Sequence, residues 1–176
     1  MMDAEAERGM NRAIWDLRHT RVDGENGGGR GPLVLPGRYT ARMTLAGQTR
    51  DQAVVVREDP RLEHSPAVRR AWTTVRLELW RQTQGAQELG GAVRRSAARL
   101  DADTNPLNVD SDTEMALRDL ARETQELSSR WSRLYGSTGG WVGPLASDQA
   151  SQQAFLTDML RDLSAEWTQL SARLPG

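Results

Sequence analysis

The chain of 176 residues contains no cysteine and no lysine. Without cysteine there is no disulfide, no thiolate nucleophile and no zinc–thiolate site. Without lysine there is no phosphate-gripping amine, no Schiff-base site and no Ser–Lys nucleophile pair. All 23 basic residues are therefore arginine, against 24 acids, and this balance gives no global attraction to nucleic acid or to an anionic membrane. No run reaches the roughly 18–20 apolar residues that span a bilayer. The first residues, Met1-Met2-Asp3-Ala4-Glu5-Ala6-Glu7, are acidic where a secretory signal is basic and then apolar. As written, the chain is expected to be soluble and to stay where it is made. The two histidines, His19 and His64, have no second histidine or carboxylate at ligand spacing, so no metal is expected.

What is present is patterned. Residues 61–100 are basic, with eight arginines against three acids, and residues 101–176 are acidic, with six arginines against twelve acids. Two helical segments of opposite sign are expected to attract each other in a bundle. The arginines lack the aromatic and glycine interleaving of a nucleic-acid surface, so no such partner is expected.

The first third reads as β-structure. Residues 11–18 alternate weakly, with Trp15 and Leu17 on one face. Residues 19–31 form a loop around Gly24, Gly27, Gly28, Gly29 and Gly31. Pro36-Gly37 turns into a strand whose Tyr39, Ala41, Met43 and Leu45 share a face; Ala46-Gly47-Gln48 reverses it. A third strand runs from Gln52 to Arg57 and stops at Asp59-Pro60. About three strands with one apolar face cannot close a core unaided. The cover comes from upstream strands, from the helices or from a second copy. If Trp15 and Tyr39 form an inner face, Trp15→Ala costs about 3–5 kcal/mol.

After Pro66 the period becomes helical. Val68, Trp72, Val75, Leu79, Gln82, Ala86, Leu89, Val93, Ser96 and Leu100 form a heptad seam. Gly85, Gly90 and Gly91 predict a bend or break near residue 90. Residues 101–110 form a loop around Asn105-Pro106. A capping box, Ser111-Asp112-Thr113-Glu114, opens a second helix with the seam Leu117, Leu120, Thr124, Leu127, Trp131 and Leu134. A loop over 136–144 carries Trp141, and a third helix from near Ser147-Asp148 has the seam Leu156, Leu160, Leu163, Trp167, Leu170 and Leu174. The fold class expected is α+β: a short antiparallel sheet over residues 1–61, then an antiparallel three-helix bundle over residues 62–176.

Two stretches carry a family comparison: Gly9-Met10-Asn11-Arg12-Ala13-Ile14-Trp15-Asp16-Leu17-Arg18, and Gly31-Pro32-Leu33-Val34-Leu35-Pro36-Gly37-Arg38-Tyr39-Thr40. With Asp59-Pro60-Arg61 and the Trp141-Val142-Gly143-Pro144 lead-in to the last helix, they resemble the C-terminal region of bacterial sortilin-like, BNR-repeat β-propeller proteins, often labelled glycosyl hydrolases or exo-sialidase-like. The β-part is similar to the immunoglobulin-like module of flagellar hook-capping proteins. The resemblance implies the second half of such a module followed by a helical tail, and so the end of a larger, exported protein. The family's Asp-box turns, Ser-x-Asp-x-Gly-x-x-Trp, do not occur here. Any hydrolase activity would reside in the propeller, outside these residues.

No catalytic, cofactor-binding or metal-binding residue is therefore assigned. Asp16 reads as a strand-end carboxylate paired with Arg18 or a turn amide. Gly27-Gly28-Gly29-Arg30-Gly31 lacks the lysine and the helix start of a phosphate cradle. Trp72, Trp131 and Trp167 fall on seams as core; Trp80 lies off the seam and is expected to meet the β-module or another domain. Trp141 is the aromatic to test for binding. Glu123 and Glu126 belong to an exposed helical face rather than a glycosidase cleft. The expected role is a non-catalytic structural or docking module whose partner is an upstream propeller or immunoglobulin-like region, or another protein. The alternatives are part of an exo-sialidase-like hydrolase, or an adaptor that dimerises through its sheet edge.

Overall fold

The structure, a computed structural model, describes residues 9–19, 31–102 and 107–175. Residues 20–30 of the glycine loop expected over 19–31, and Asn105-Pro106, lie outside the described residues. The chain is α+β. A two-stranded antiparallel sheet of β1 (Gly37–Leu45) and β2 (Gln48–Val56) precedes three helices, α1 (Pro66–Ala98), α2 (Ser111–Ser137) and α3 (Ser147–Ser171).

The hairpin forms where a two-residue reversal follows an alternating strand. Ala46 and Gly47 both have positive φ, 48° and 77°, the combination whose twist matches that of the flanking strands. Nine consecutive pairs run from Gly37 opposite Val56 to Leu45 opposite Gln48. Tyr39 faces Val54. Arg42 grips Asp51 through two hydrogen bonds of 2.8 and 2.7 Å, and the Thr44 and Thr49 hydroxyls meet at 3.2 Å. Such cross-strand pairs hold a hairpin that has little burial of its own.

The strand expected over residues 11–18 is corrected to a single bridge, Arg18 opposite Leu33. It is closed by His19 N–H to the Pro32 carbonyl at 3.0 Å and Val34 N–H to the Leu17 carbonyl at 2.9 Å. The sheet thus has two strands rather than three. Leu17 is the cause: its φ of 59° takes the chain out of the extended line, and Asp16 Oδ1 holds that turn by accepting the Arg18 N–H at 3.1 Å. Gly31 makes the crossing possible, because a Cβ there would lie 2.2 Å from the His19 carbonyl oxygen. Trp15 does meet Tyr39, edge-on at 5.3 Å, but it is only half-buried. An inner face is therefore not what these rings form.

In the bundle, α2 buries its whole expected seam: Leu117, Leu120, Thr124, Leu127, Trp131 and Leu134. Leu79, Ala86, Leu89 and Val93 of α1 and Leu156, Leu163 and Leu170 of α3 complete the core. Of the bend or break expected near residue 90, the break does not occur: helix α1 runs continuously through its glycines. At Gly90 a Cβ would lie 3.1 Å from Ser128 Oγ and 3.4 Å from the Thr124 carbonyl. The absent side chain lets α2 close in, and Ser128 Oγ donates to the Ala86 carbonyl at 2.8 Å. This contact offsets the helix cost of glycine, about 1 kcal/mol.

The cap of α2 is corrected from Ser111 to Asp110. Its carboxylate accepts the Thr113 N–H at 2.8 Å and the Thr113 hydroxyl at 3.1 Å, which holds its pKa below the usual aspartate value. Glu114, freed from capping, pairs with Arg118 at 3.0 Å. Arg122–Asp119, Arg130–Glu126 and Arg161–Asp158 likewise pair along their own helices rather than between helices. Helix α3 is tied to the end of α2 by Gln149 Nε2 donating to Ser137 Oγ at 3.3 Å.

Candidate functional site

The first half of α1 buries a second stripe beside the seam. Arg69, Thr73, Arg76, Trp80 and Thr83 follow the same alternation of four and three, displaced by one residue from Val68, Trp72, Val75, Leu79 and Gln82. Two of its members are arginines, 6 % and 7 % exposed. A guanidinium at such depth is costly in proportion to the donors and charge left unmatched.

Arg69 is matched by the base of the hairpin. Its Nε donates to Glu58 Oε2 at 3.0 Å, its Nη1 to Thr73 Oγ1 at 2.6 Å and its Nη2 to the Val34 carbonyl at 3.4 Å. One side chain thus joins α1 to the segment entering β1 and to the segment leaving β2. Within the segment entering β1, the Tyr39 hydroxyl donates to the Leu35 carbonyl at 2.6 Å.

Arg76 is matched in part, by the end of α2, which has no basic residue in its last turn; its buried Nε has no hydrogen-bond partner and no carboxylate pairs with it among the described residues. Nη1 donates to the Tyr135 carbonyl and, at 2.7 Å, to Thr138 Oγ1. The cation therefore sits where the helix dipole is negative and carbonyls lack partners. Its carbon Cζ lies 3.8 Å from the Tyr135 ring centroid and 5.8 Å from that of Trp72, whose ring also lies 4.9 Å from Arg69 Cζ. Burial lowers the Arg76 pKa, with Tyr135 opposing and Arg18 adding to the effect. Burial likewise raises Tyr135, against Arg76 and Arg18. His19, at the strand crossing, is lowered first by burial and then by Arg81. The cluster is an arginine–aromatic joint that fixes the hairpin base, α1 and α2 to one another.

Beyond that joint the hairpin stands clear. Among the described residues neither strand has a second neighbour, and neither packs on a helix. Every residue from Thr40 to Gln52 is exposed, Met43 at 61 %, Leu45 at 55 % and, further along β2, Val55 at 57 %. One face carries Tyr39, Ala41, Met43 and Leu45 with Val54, Gln52, Arg50 and Gln48. The other carries Arg38, Thr40, Arg42 and Thr44 with Val55, Ala53, Asp51 and Thr49. Arg38, Arg50 and Arg57 form no ion pair among the described residues.

The remaining sequence candidates are placed as follows. Trp131 is fully buried, Trp167 partly, and Trp80 is buried outside the main core cluster. Trp141 is 75 % exposed, its ring lying over Gly143, where a Cβ would meet Nε1 at 2.2 Å. Glu126 pairs with Arg130 at 2.5 Å and Glu123 is exposed. Nε2 of the half-buried His64 has no hydrogen-bond partner. Among the described residues no three His, Asp or Glu side chains come together, and no helix is long and apolar enough to cross a membrane. A shallow groove at the far end of the bundle, between Val109, Ala116 and Leu170, is rimmed by Asp110, Asp112 and Arg173; Asp110 is already committed to capping α2.

The second stripe was missed because a hydrophobicity pattern passes over arginine and threonine. Its signal is the heptad spacing of Arg69, Arg76 and Thr83 beside two tryptophans. No protein-family model, curated protein or solved structure matches the chain.

Proposed function

We propose that this chain is a non-catalytic docking module in which the helical bundle carries the β-hairpin to a protein partner. The partner class implied by the resemblance over residues 9–61 is a sortilin-like, BNR-repeat propeller. The observation that carries the reading is the contrast at the hairpin base: a buried arginine ties down its root while both faces of its outer half stay open. A loop that only linked elements would not need nine paired residues and a buried cation to hold it.

The test is calorimetric titration of the purified chain against a recombinant sortilin-like propeller stripped of its own helical tail. A one-to-one complex lost on replacing Met43 and Leu45 by serine is the expected result. Absence of a complex, together with turnover of an aryl sialoside by the chain alone, would replace this reading with a hydrolase.

A further inference from the structure

We infer that the outer edge of β1 accepts one more strand, donated by a protein partner whose sequence alternates apolar and acidic residues. The inference rests on the docking reading and names the chemistry of the partner. An edge strand offers a row of unpaired N–H and C=O groups, and proteins usually blunt it with proline, a bulge, short length or charged side chains. β1 holds no proline, its register is continuous over nine pairs and it extends about 30 Å at the usual rise per residue, so Arg38 and Arg42 are its one such device, and they favour a partner strand that brings acids opposite them.

The side chains say what would pair there. β1 alternates Tyr39, Ala41, Met43 and Leu45 on one face with Arg38, Thr40, Arg42 and Thr44 on the other, and contains no acid. Arg42 is held from the inner side by Asp51, and Arg38 has no ion-pair partner among the described residues. A strand laid along β1 places its own residues directly opposite these. Acids four positions apart would oppose Arg38 and Arg42, while apolar residues between them would extend the Tyr39–Met43 face. A second copy of this chain is disfavoured by the same reasoning. It would bring its own Arg38 and Arg42 onto the arginine face without adding acids beyond the Asp51 already engaged. Strand addition of this kind takes affinity from the backbone and specificity from alternate side chains.

The experiment is amide hydrogen exchange on the full chain with a synthetic octapeptide alternating valine with threonine or glutamate, its glutamates four positions apart. Exchange of the β1 amides should slow while that of α2 is unchanged. A peptide with lysine for glutamate should bind about tenfold more weakly, and Arg38→Glu should reverse that preference. Arg38 lies in no ion pair among the described residues, so this variant leaves the Arg42–Asp51 clasp in place. Unaltered β1 exchange at millimolar peptide overturns the inference. Equal binding of both peptides does the same, as does β1 protection that grows with the chain's own concentration in the absence of peptide. If the propeller binds through Met43 and Leu45 while the peptide leaves β1 unprotected, the strand inference fails and the docking reading stands. If the peptide protects β1 and the propeller does not bind, the edge stands and the propeller as partner fails.

Discussion

The bundle and the hairpin solve the same problem, an apolar stripe in water, in opposite ways. In the bundle the stripe of each helix meets another: Trp131 and Leu127 are fully enclosed, and α1 and α2 approach closely enough at Gly90 for a serine hydroxyl to bond across. In the hairpin Met43 and Leu45 meet solvent, and the strands are held by cross-strand pairs and one anchored root. Burial makes the first region self-sufficient. The second is specified by its turn and its register but not enclosed. The arginine–aromatic joint lies between the two and belongs energetically to the bundle.

This contrast is breakable by substitution. Trp131→Ala removes the largest fully buried side chain and should cost about 3–5 kcal/mol, read as a large fall in the midpoint of urea denaturation. A loss under about 1 kcal/mol would mean the core is not continuous. Arg76→Gln should cost about 2 kcal/mol by removing a cation and its charge-assisted hydrogen bonds from the negative end of α2, where the Thr138 hydroxyl goes on donating to the Tyr135 carbonyl. Measured by thermal melting, an effect as small as that of a surface arginine would show that the joint does not brace α2. Trp15→Ala should cost about 1–2 kcal/mol, since the ring is half-buried, meets the edge of Tyr39 and donates from Nε1 to the Arg18 carbonyl at 3.2 Å. The 3–5 kcal/mol of an enclosed inner face would point to a cover over this sheet.

Acidification tests the crossing between the two regions. The His19 imidazole is held below its ordinary 6.5 by burial and by Arg81, so below that pH the unfolded chain binds more protons than the folded one. Stability should be fully present above pH 6.5 and decline as pH falls from 6.5 through the lowered folded value. Faster exchange of the His19 amide at pH 5 than at pH 7, after correction for intrinsic rates, with α2 amides unchanged, is the expected sign. The smallest effect is expected at the hairpin tip. Met43→Ser with Leu45→Ser should change the unfolding free energy by no more than about 0.5 kcal/mol, and a larger loss would place that face in the core.

Much of the fold was legible in the residues because helical and strand periods are local. The seam Leu117, Leu120, Thr124, Leu127, Trp131 and Leu134 is spaced as the buried face of one helix, and it is the face that is buried. The hairpin was legible for a similar reason, an alternating strand followed by Ala46-Gly47. The candidate site was far less so. Trp141 was singled out as the aromatic to test for binding and lies exposed, but Arg69 and Arg76 carry polar side chains that a pattern search assigns to water.

The sequence by itself determined three helices, the inward seam of α2, much of those of α1 and α3, though Val68 of the α1 seam is exposed, and one tight reversal, because each follows from the spacing of residues a few positions apart. Tertiary structure decided the rest. Arg76 is buried because the end of α2, some sixty residues away, supplies carbonyls and a negative dipole end. Glycine suits position 90 because Ser128 and Thr124 of α2 lie where a side chain would stand. The first strand shrinks to one bridge because Leu17 turns the backbone and Gly31 admits it. Each depends on where a distant backbone group lies, and that position is set by packing rather than by period.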